Sequence, residues 1–94
     1  MKIRWLRTAL RNLADEADYI AAEDGAAARL VVKRVLEAVE LLSTQPAIGR
    51  PGRVHGTREL LVPKTRYLIP YRIHRDQVQV LRVFHTSRKP PKRW

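Results

Sequence analysis

Apolar residues recur at helical spacing through the first half of the chain. A first stripe, with intervals of three or four residues, consists of Leu6, Leu10, Leu13, Ala17 and Ile20. This spacing predicts an amphipathic helix over 8–23, with these charged side chains on its solvent side: Arg11, Asp15, Glu16 and Asp18. A second stripe, rich in valine and leucine, predicts a helix over 26–44, and Asp24-Gly25 separates the two. The short connection predicts an antiparallel helical hairpin.

From residue 57 the pattern changes to the alternation that is typical of β-strands. Three β-prone runs, at 57–62, 67–73 and 77–85, are separated by only three or four residues. Connections this short join antiparallel neighbours, so the sequence predicts a three-stranded meander over 57–85. Pro70 lies inside the second run and donates no ladder hydrogen bond, so we expect it at a bulge or on an unpaired side.

The two ends of the chain are predicted to form a short strand and a tail. Alternation at 2–5 predicts a short strand that could join an edge of the sheet, with Ile3 and Trp5 on one face. Residues 88–94 include two prolines and four cations, so they are expected to form a basic tail rather than a helix. The predicted fold is therefore α+β: a single domain over 1–94 in which an N-terminal helical hairpin packs on a small antiparallel sheet of three to four strands.

Composition limits the classes of protein to which the chain can belong. It has no cysteine, which excludes disulfide frameworks and thiol chemistry and is typical of a reducing compartment, so the cytoplasm is the expected location. No uncharged run is long enough for a membrane span, and no membrane partner is expected. His55, His74 and His85 lack the spacing and acidic neighbours of a metal site. We therefore expect neither a metal nor a cofactor.

The net charge of +10 comes entirely from the second half of the chain. Residues 1–48 carry seven basic and seven acidic side chains, whereas residues 49–94 carry twelve basic and two acidic ones. Such a density of like charge destabilises a compact chain, which favours an anionic partner: nucleic acid, a nucleic-acid-bound machine or an acidic protein. A basic surface that serves only solubility is the alternative.

Four arginines of the predicted sheet are candidates for binding that partner: Arg58, Arg66, Arg72 and Arg82. Strand alternation predicts that Arg58, Arg72 and Arg82 emerge on one face, where guanidinium groups can grip phosphate or carboxylate. Tyr67 and Tyr71 could stack on bases, but their apolar neighbours favour packing in the core.

His85 is the one candidate for acid–base chemistry. It ends the last predicted strand between Arg82 and Arg88. An imidazole beside cations can act as an acid or a base on a phosphodiester. A solvated or structurally hydrogen-bonded histidine is the alternative, and the sequence leaves both open.

Three phrases in the second half carry a resemblance to a known family. They are Gly56-Thr57-Arg58-Glu59-Leu60, Tyr67-Leu68-Ile69-Pro70-Tyr71-Arg72-Ile73 and Val80-Leu81-Arg82-Val83-Phe84-His85. Further matches extend the likeness over almost the whole chain: Trp5 to Leu13 with Ala17 and Tyr19-Ile20, and Pro46 with Gly49-Arg50. The chain resembles the ParE/RelE superfamily of bacterial type II toxins.

The resemblance implies a small toxin that a cognate acidic antitoxin silences in a hetero-oligomer. The antitoxin would wrap over the helices and the sheet, with these apolar residues as its expected contacts: Leu10, Leu13, Val32 and Leu36. The residues expected to bind the toxin's target are Arg58, Arg66, Arg72, Arg82, Arg88, Lys89 and Trp94.

Two mechanisms divide the superfamily. RelE-like members cleave mRNA inside the ribosome, whereas ParE-like members inhibit DNA gyrase. The nuclease branch places an arginine directly after the tyrosine of its central strand, but here Leu68 follows Tyr67, and no tyrosine occurs after Tyr71. The resemblance therefore favours a gyrase inhibitor without catalysis. The alternative is a ribosome-dependent mRNA endoribonuclease that uses Arg72, Arg82, His85 and Arg88.

Overall fold

The computed structural model describes residues 1–94 as two helices and six strands. In chain order the elements are β1 (Lys2–Trp5), α1 (Arg7–Ala21), α2 (Gly25–Leu41), β2 (Arg50–Pro51), β3 (Arg58–Leu61), β4 (Tyr67–His74), β5 (Gln77–Val80) and β6 (Phe84–His85). The helices pack on one face of a single sheet. The predicted α+β fold with an N-terminal helical hairpin is confirmed.

The helical hairpin follows the hydrophobic stripes. Both helices begin and end within three residues of the predicted bounds, 8–23 and 26–44. Asp24 caps α2, because its Oδ1 accepts a hydrogen bond of 3.0 Å from the backbone N–H of Ala27. Neither helix is long and apolar enough to cross a membrane.

One charged residue of α1 does not lie where the stripe placed it. Glu16 was expected on the solvent side of the helix, but it is only 7% exposed. The reason is a contact from the far end of the chain: Arg88 folds against α1 and pairs with the Glu16 carboxylate. Helical periodicity cannot predict that a distant segment covers a residue, because it depends only on the sequence of the helix itself.

The sheet is larger and more varied than predicted. Its strand order is β1-β5-β4-β3-β2, and β6 also pairs with β4. The prediction of an antiparallel sheet of three to four strands is therefore wrong in number and in type: there are six strands, and β1 runs parallel to β5 at one edge. The helical hairpin separates β1 from the meander, so no tight turn forces β1 to be antiparallel to its neighbour.

A bulge splits the third predicted run into β5 and β6. Between the pairs Tyr71–Val80 and Leu68–Phe84, β4 uses two residues whereas the opposite chain uses three. Pro70 lies opposite this extra residue, and its carbonyl accepts a hydrogen bond of 2.9 Å from the Leu81 N–H. The expectation that Pro70 marks a bulge is confirmed.

The two faces of the sheet have different compositions. The inner face packs on the helices and carries Tyr67, Ile69 and Tyr71 from β4 and Val78 and Val80 from β5, all buried. The predicted core packing of both tyrosines is thus confirmed. The outer face carries Leu68, Pro70 and Arg72 from β4, Gln79 from β5, Phe84 from β6 and Arg4 from β1.

Residues 88–94 form neither helix nor strand, and they fold back over one end of the outer face. The ring of Trp94 meets that of Phe84 edge-on at 5.1 Å between centroids. Phe84 is the register partner of Leu68, which is 1% exposed. The basic tail therefore contributes to the packing of the sheet.

Candidate functional site

Cations of the outer face form a row across three strands. Arg4, Gln79 and Arg72 are register partners on β1, β5 and β4. The Nε of Arg72 donates a hydrogen bond of 2.6 Å to the Oε1 of Gln79, which orients the guanidinium and leaves its terminal nitrogens without a protein partner. Lys2 and His74 occupy the next row, on either side of Gln77.

An open hollow of about 420 Å³ continues this surface towards the tail. Its cationic lining consists of Arg72, Arg82 and Arg93, with Trp94 beside them, and no acidic side chain lines it. Arg82 donates to the Leu81 carbonyl at 2.6 Å and to the backbone oxygen of Trp94. The structure thus brings together three of the expected target-binding residues: Arg72, Arg82 and Trp94.

Arg58 does not belong to that set. It is the register partner of Tyr71, so it lies on the inner face, whereas Arg72 lies on the outer face. Its guanidinium donates to the carbonyls of Gly49, at 2.8 Å, and Ala47, at 3.3 Å. The prediction that Arg58, Arg72 and Arg82 share one face is wrong, because alternation within each strand does not fix how neighbouring strands are offset.

Two further arginines share one buried carboxylate within the chain. Glu59 is 2% exposed, and its oxygens lie 3.3 Å from the Nη2 of Arg50 and 3.9 Å from the Nε of Arg53. The Arg53 backbone N–H also donates to Glu59 at 3.0 Å. This pairing holds the turn after β2 against β3 and offsets one unit of the positive charge of the second half.

A separate cleft of about 470 Å³ opens between the helical hairpin and β6. Its polar lining includes Glu16, Arg66, Tyr67, His85 and Arg88. Arg88 lies 3.2 Å from the Glu16 carboxylate. Burial, reinforced by the negative charge of Glu16, raises the pKa of Tyr67, so the phenol is held in its neutral form. Arg66 and Arg88 therefore do not belong to the row of cations on the outer face. They line a cleft that also contains the acidic side chain of Glu16.

The four residues of the nuclease alternative are divided between these two places. Arg72 and Arg82 lie at the outer-face hollow, whereas His85 and Arg88 line the cleft. His85 is the register partner of Tyr67, and its Nδ1 lies 2.6 Å from the Ser87 hydroxyl oxygen. His85 therefore makes the structural hydrogen bonds that were one of its two expected roles. No group of three or more His, Asp or Glu side chains lies close enough to hold a metal ion.

The apolar residues expected to meet an antitoxin differ in exposure. Leu10 and Leu36 are 51% and 46% exposed, whereas Leu13 and Val32 are half-buried. A groove of about 470 Å³ between α2 and β3 presents further exposed apolar side chains: Leu41, Ile48 and Leu61. Contiguous exposed apolar surface of this kind marks interaction sites.

The chain is similar to known proteins in sequence and in fold. The model of a family described as "ParE toxin of type II toxin-antitoxin system, parDE" matches residues 3–90. The chain belongs to the ParE toxin family. A relative from Sinorhizobium fredii (strain NBRC 101917 / NGR234), named "Putative toxin Y4kP", is 47% identical over 90 residues, which are 96% of this chain and 93% of the relative.

A solved ParE-type structure shares the fold. It is described as "Chromosomal ParDE TA system from P. aeruginosa" and is 27% identical to this chain, with a TM-score of 0.83. The alignment covers 90% of this chain and 95% of the solved one. The family identified from three sequence phrases is therefore confirmed.

In this ParE chain, sequence reasoning missed cations that lie beside the expected ones. Arg4 could have been found, because alternation at 2–5 places it opposite Ile3 and Trp5 and hence on the face away from the helices. Arg93 gave no such signal, since it has no periodic neighbours and reaches the hollow only through the fold of the tail. Lys89 is exposed and joins no ion pair.

Proposed function

We propose that this ParE toxin arrests growth by inhibiting DNA gyrase, acting as a binding protein without a catalytic step, and that a cognate acidic antitoxin neutralises it in a hetero-oligomer in the cytoplasm. The observation that carries the proposal is the separation of Arg72 and Arg82 from His85. A nuclease needs its acid–base group within hydrogen-bond reach of the scissile phosphate that its cations bind. Here the register sets Arg72 and His85 on opposite faces of the sheet.

The position after Tyr67 supports the same conclusion. The resemblance places a phosphate-stabilising arginine there in nuclease members, whereas Leu68 is apolar and 1% exposed. A residue so buried cannot contact a bound RNA. The ribosome-dependent nuclease remains the alternative that the first experiment tests.

Target contact is assigned to the outer face and the tail. Arg72 and Arg82 line the hollow beside Trp94, and Lys89 extends the basic surface. Arg58, Arg66 and Arg88 were also expected to bind the target. Of these, Arg58 holds a backbone turn and Arg88 pairs with Glu16, so their contribution to target binding would be indirect.

The antitoxin is assigned to the exposed apolar surface of the hairpin. The solved relative is described as a ParDE system, which supports an antitoxin of the ParD kind for this chain. Leu10 and Leu36 offer exposed apolar area, and the groove with Leu41, Ile48 and Leu61 offers more. An acidic partner would also offset the net charge of +10.

A supercoiling assay tests the target. Purified toxin should inhibit supercoiling by gyrase and leave cleaved DNA, whereas mRNA on programmed ribosomes in a parallel reaction should stay intact. Cleavage of ribosome-bound mRNA with unimpaired gyrase would overturn the proposal in favour of the endoribonuclease.

A binding assay tests the antitoxin surface. Replacing Leu10 and Leu36 with serine should weaken the complex with the protein encoded beside the toxin gene more than tenfold, because each substitution removes apolar contact area. Leu30→Ser, at another exposed helical leucine that is 44% exposed, is the matched control. Equal affinities of the double variant and the control would place the antitoxin elsewhere.

A further inference from the structure

Five cations without acidic partners lie together on the outer face and in its hollow. The four ion pairs of the structure use Lys33, Arg50, Arg53 and Arg88. None of them uses five cations that lie on β1 and β4 of the outer face or line its hollow: Lys2, Arg4, Arg72, Arg82 and Arg93. Arg50, on β2 of the same face, is paired with Glu59. This part of the outer face therefore carries a cluster of unpaired positive charge, in addition to exposed cations on the helices such as Arg11 and Arg29.

The spacing of these cations suits a regular line of anions. Neighbouring strands lie about 4.8 Å apart, so the Cα atoms of Arg4 and Arg72, with β5 between them, are separated by about 10 Å. Lys2 and Arg4 are about 7 Å apart along β1. The hollow extends the array towards the tail with Arg93 and with Arg82, whose terminal nitrogens also donate to the backbone oxygens of Leu81 and Trp94. Guanidinium groups presented in this way pair well with phosphate oxygens.

The composition of this surface distinguishes nucleic acid from an acidic protein as its ligand. Stable protein interfaces have an apolar centre with a few large anchors. The outer face offers only the partly buried rings of Phe84 and Trp94, which pack against each other. The exposed apolar side chains Leu10, Leu36, Leu41, Ile48 and Leu61 belong to the hairpin and the α2–β3 groove. Phosphate contacts need no apolar centre, because counterion release supplies the binding free energy.

We propose that the outer face binds the phosphodiester backbone of duplex DNA, without base specificity, through Lys2, Arg4, Arg72, Arg82 and Arg93. The choice of duplex DNA rests on the proposed function, because gyrase acts on duplex DNA. The toxin then meets gyrase on its DNA, and part of its affinity for the complex comes from the nucleic acid.

Fluorescence anisotropy with a labelled 20-base-pair duplex, in the absence of gyrase, tests this binding. The logarithm of the association constant should fall linearly with the logarithm of salt concentration, with a slope of about −4 to −5 for five phosphate contacts. A single-stranded RNA of equal length and polyglutamate of equal charge are the comparison ligands. Tighter binding of either one would overturn the assignment to duplex DNA.

Two double variants of equal net charge locate the site. Arg4→Gln/Arg72→Gln should reduce the slope by about 2 and weaken binding about 50-fold at 0.1 M salt, since each contact is worth nearly tenfold there relative to 1 M salt. Arg11→Gln/Arg29→Gln removes two exposed cations of the helices and should change affinity less than about threefold. Equal losses in both variants would show attraction by net charge alone and overturn the proposal.

The same variants separate this inference from the proposed function. If gyrase is not inhibited by the unmodified toxin while the outer-face variant still loses DNA binding, the gyrase proposal fails and DNA binding stands. If Arg4→Gln/Arg72→Gln inhibits supercoiling as strongly as the unmodified toxin, DNA contact has no part in the inhibition. Both changes are at exposed positions, and circular dichroism checks that the variant keeps its fold.

Discussion

Arginines on the inner side of the sheet differ in their partners from those on the part of the outer side that β1 and β4 form. On the inner side, Arg58 donates to two backbone carbonyls, and Arg88 pairs with the buried Glu16. On the outer side, Arg4 and Arg72 have no acidic partner, and Arg72 uses only one of its nitrogens within the chain. The difference shows that a basic half-chain can hold two kinds of arginine, one that stabilises the fold and one that is left available for a ligand.

The inner face also contains a close contact between a loop and a strand. Tyr71 is fully buried, and its hydroxyl accepts a hydrogen bond from the Gly49 N–H at 2.9 Å and donates one to the Pro46 carbonyl at 2.6 Å. The loop before β2 is thus fastened to the inner face by one side chain. On the outer face, no comparable contact fixes Arg4 or Lys2.

The largest effect is expected from Gly49→Ala. The new Cβ would lie 2.6 Å from the Tyr71 ring and hydroxyl and 3.0 Å from the Glu59 carbonyl oxygen, and neither neighbour has room to move. We expect a loss of about 3 kcal/mol in the free energy of unfolding, measured from the urea midpoint. Gly25→Ala, where the nearest atom is 3.6 Å away, should change it by less than about 0.5 kcal/mol. An unchanged midpoint for Gly49→Ala would mean that the inner face is not tightly packed there.

An intermediate effect is expected from Arg58→Gln, compared with Arg72→Gln. Losing the bonds to the Gly49 and Ala47 carbonyls should cost about 1–2 kcal/mol of stability. Arg72→Gln, at an exposed position, should change stability by less than about 0.5 kcal/mol yet weaken supercoiling inhibition several-fold. The comparison of the two faces fails if the two substitutions change stability equally.

The smallest effect appears only in alkaline solution. The folded protein raises the pKa of Tyr67 above its usual value of about 10, first through burial and then through the charge of Glu16. The phenol is neutral in both states below pH 10, so its contribution to stability is complete there. It is lost as pH rises through the folded pKa, because the unfolded chain ionises first.

Urea midpoints between pH 8 and 11.5 measure this dependence. Tyr67→Phe should make the alkaline decline shallower, by up to about 1.4 kcal/mol per pH unit above pH 10. Tyr19→Phe, at a position that is 79% exposed, is the control for removal of a hydroxyl. A decline that is the same in Tyr67→Phe and in the unmodified toxin would show that the cleft does not hold the phenol neutral.

Local sequence patterns predicted the helices and strands well, but they predicted the pairing and offset of the strands less well. The helices and β1 were found because periodicity is a property of a few neighbouring residues. The offset between β3 and β4, which turns Arg58 inward, depends on the turn at 62–66 and on packing against the helices. The parallel pairing of β1 with β5 depends on the path of the whole chain, which no short window contains.

The candidate site could be predicted only in part, for similar reasons. Arg72 and Arg82 were identified because charge and strand alternation are visible in the sequence. The burial of Glu16 and Glu59 was missed, because each carboxylate is covered by arginines from another segment. Sequence patterns count charges, whereas the neutralisation of a charge depends on contacts made after folding.

The pairing of Lys2–Trp5 with Gln77–Val80 has a consequence for the order of events during synthesis. The first strand to leave the ribosome finds its partner only 75 residues later, so the edge of the sheet stays open until almost the whole chain has emerged. Closing so long a loop is slow, since its entropy must be lost before the pairing repays it. The β1–β5 edge of the sheet is therefore expected to form last, after the helical hairpin and the rest of the meander have been synthesised.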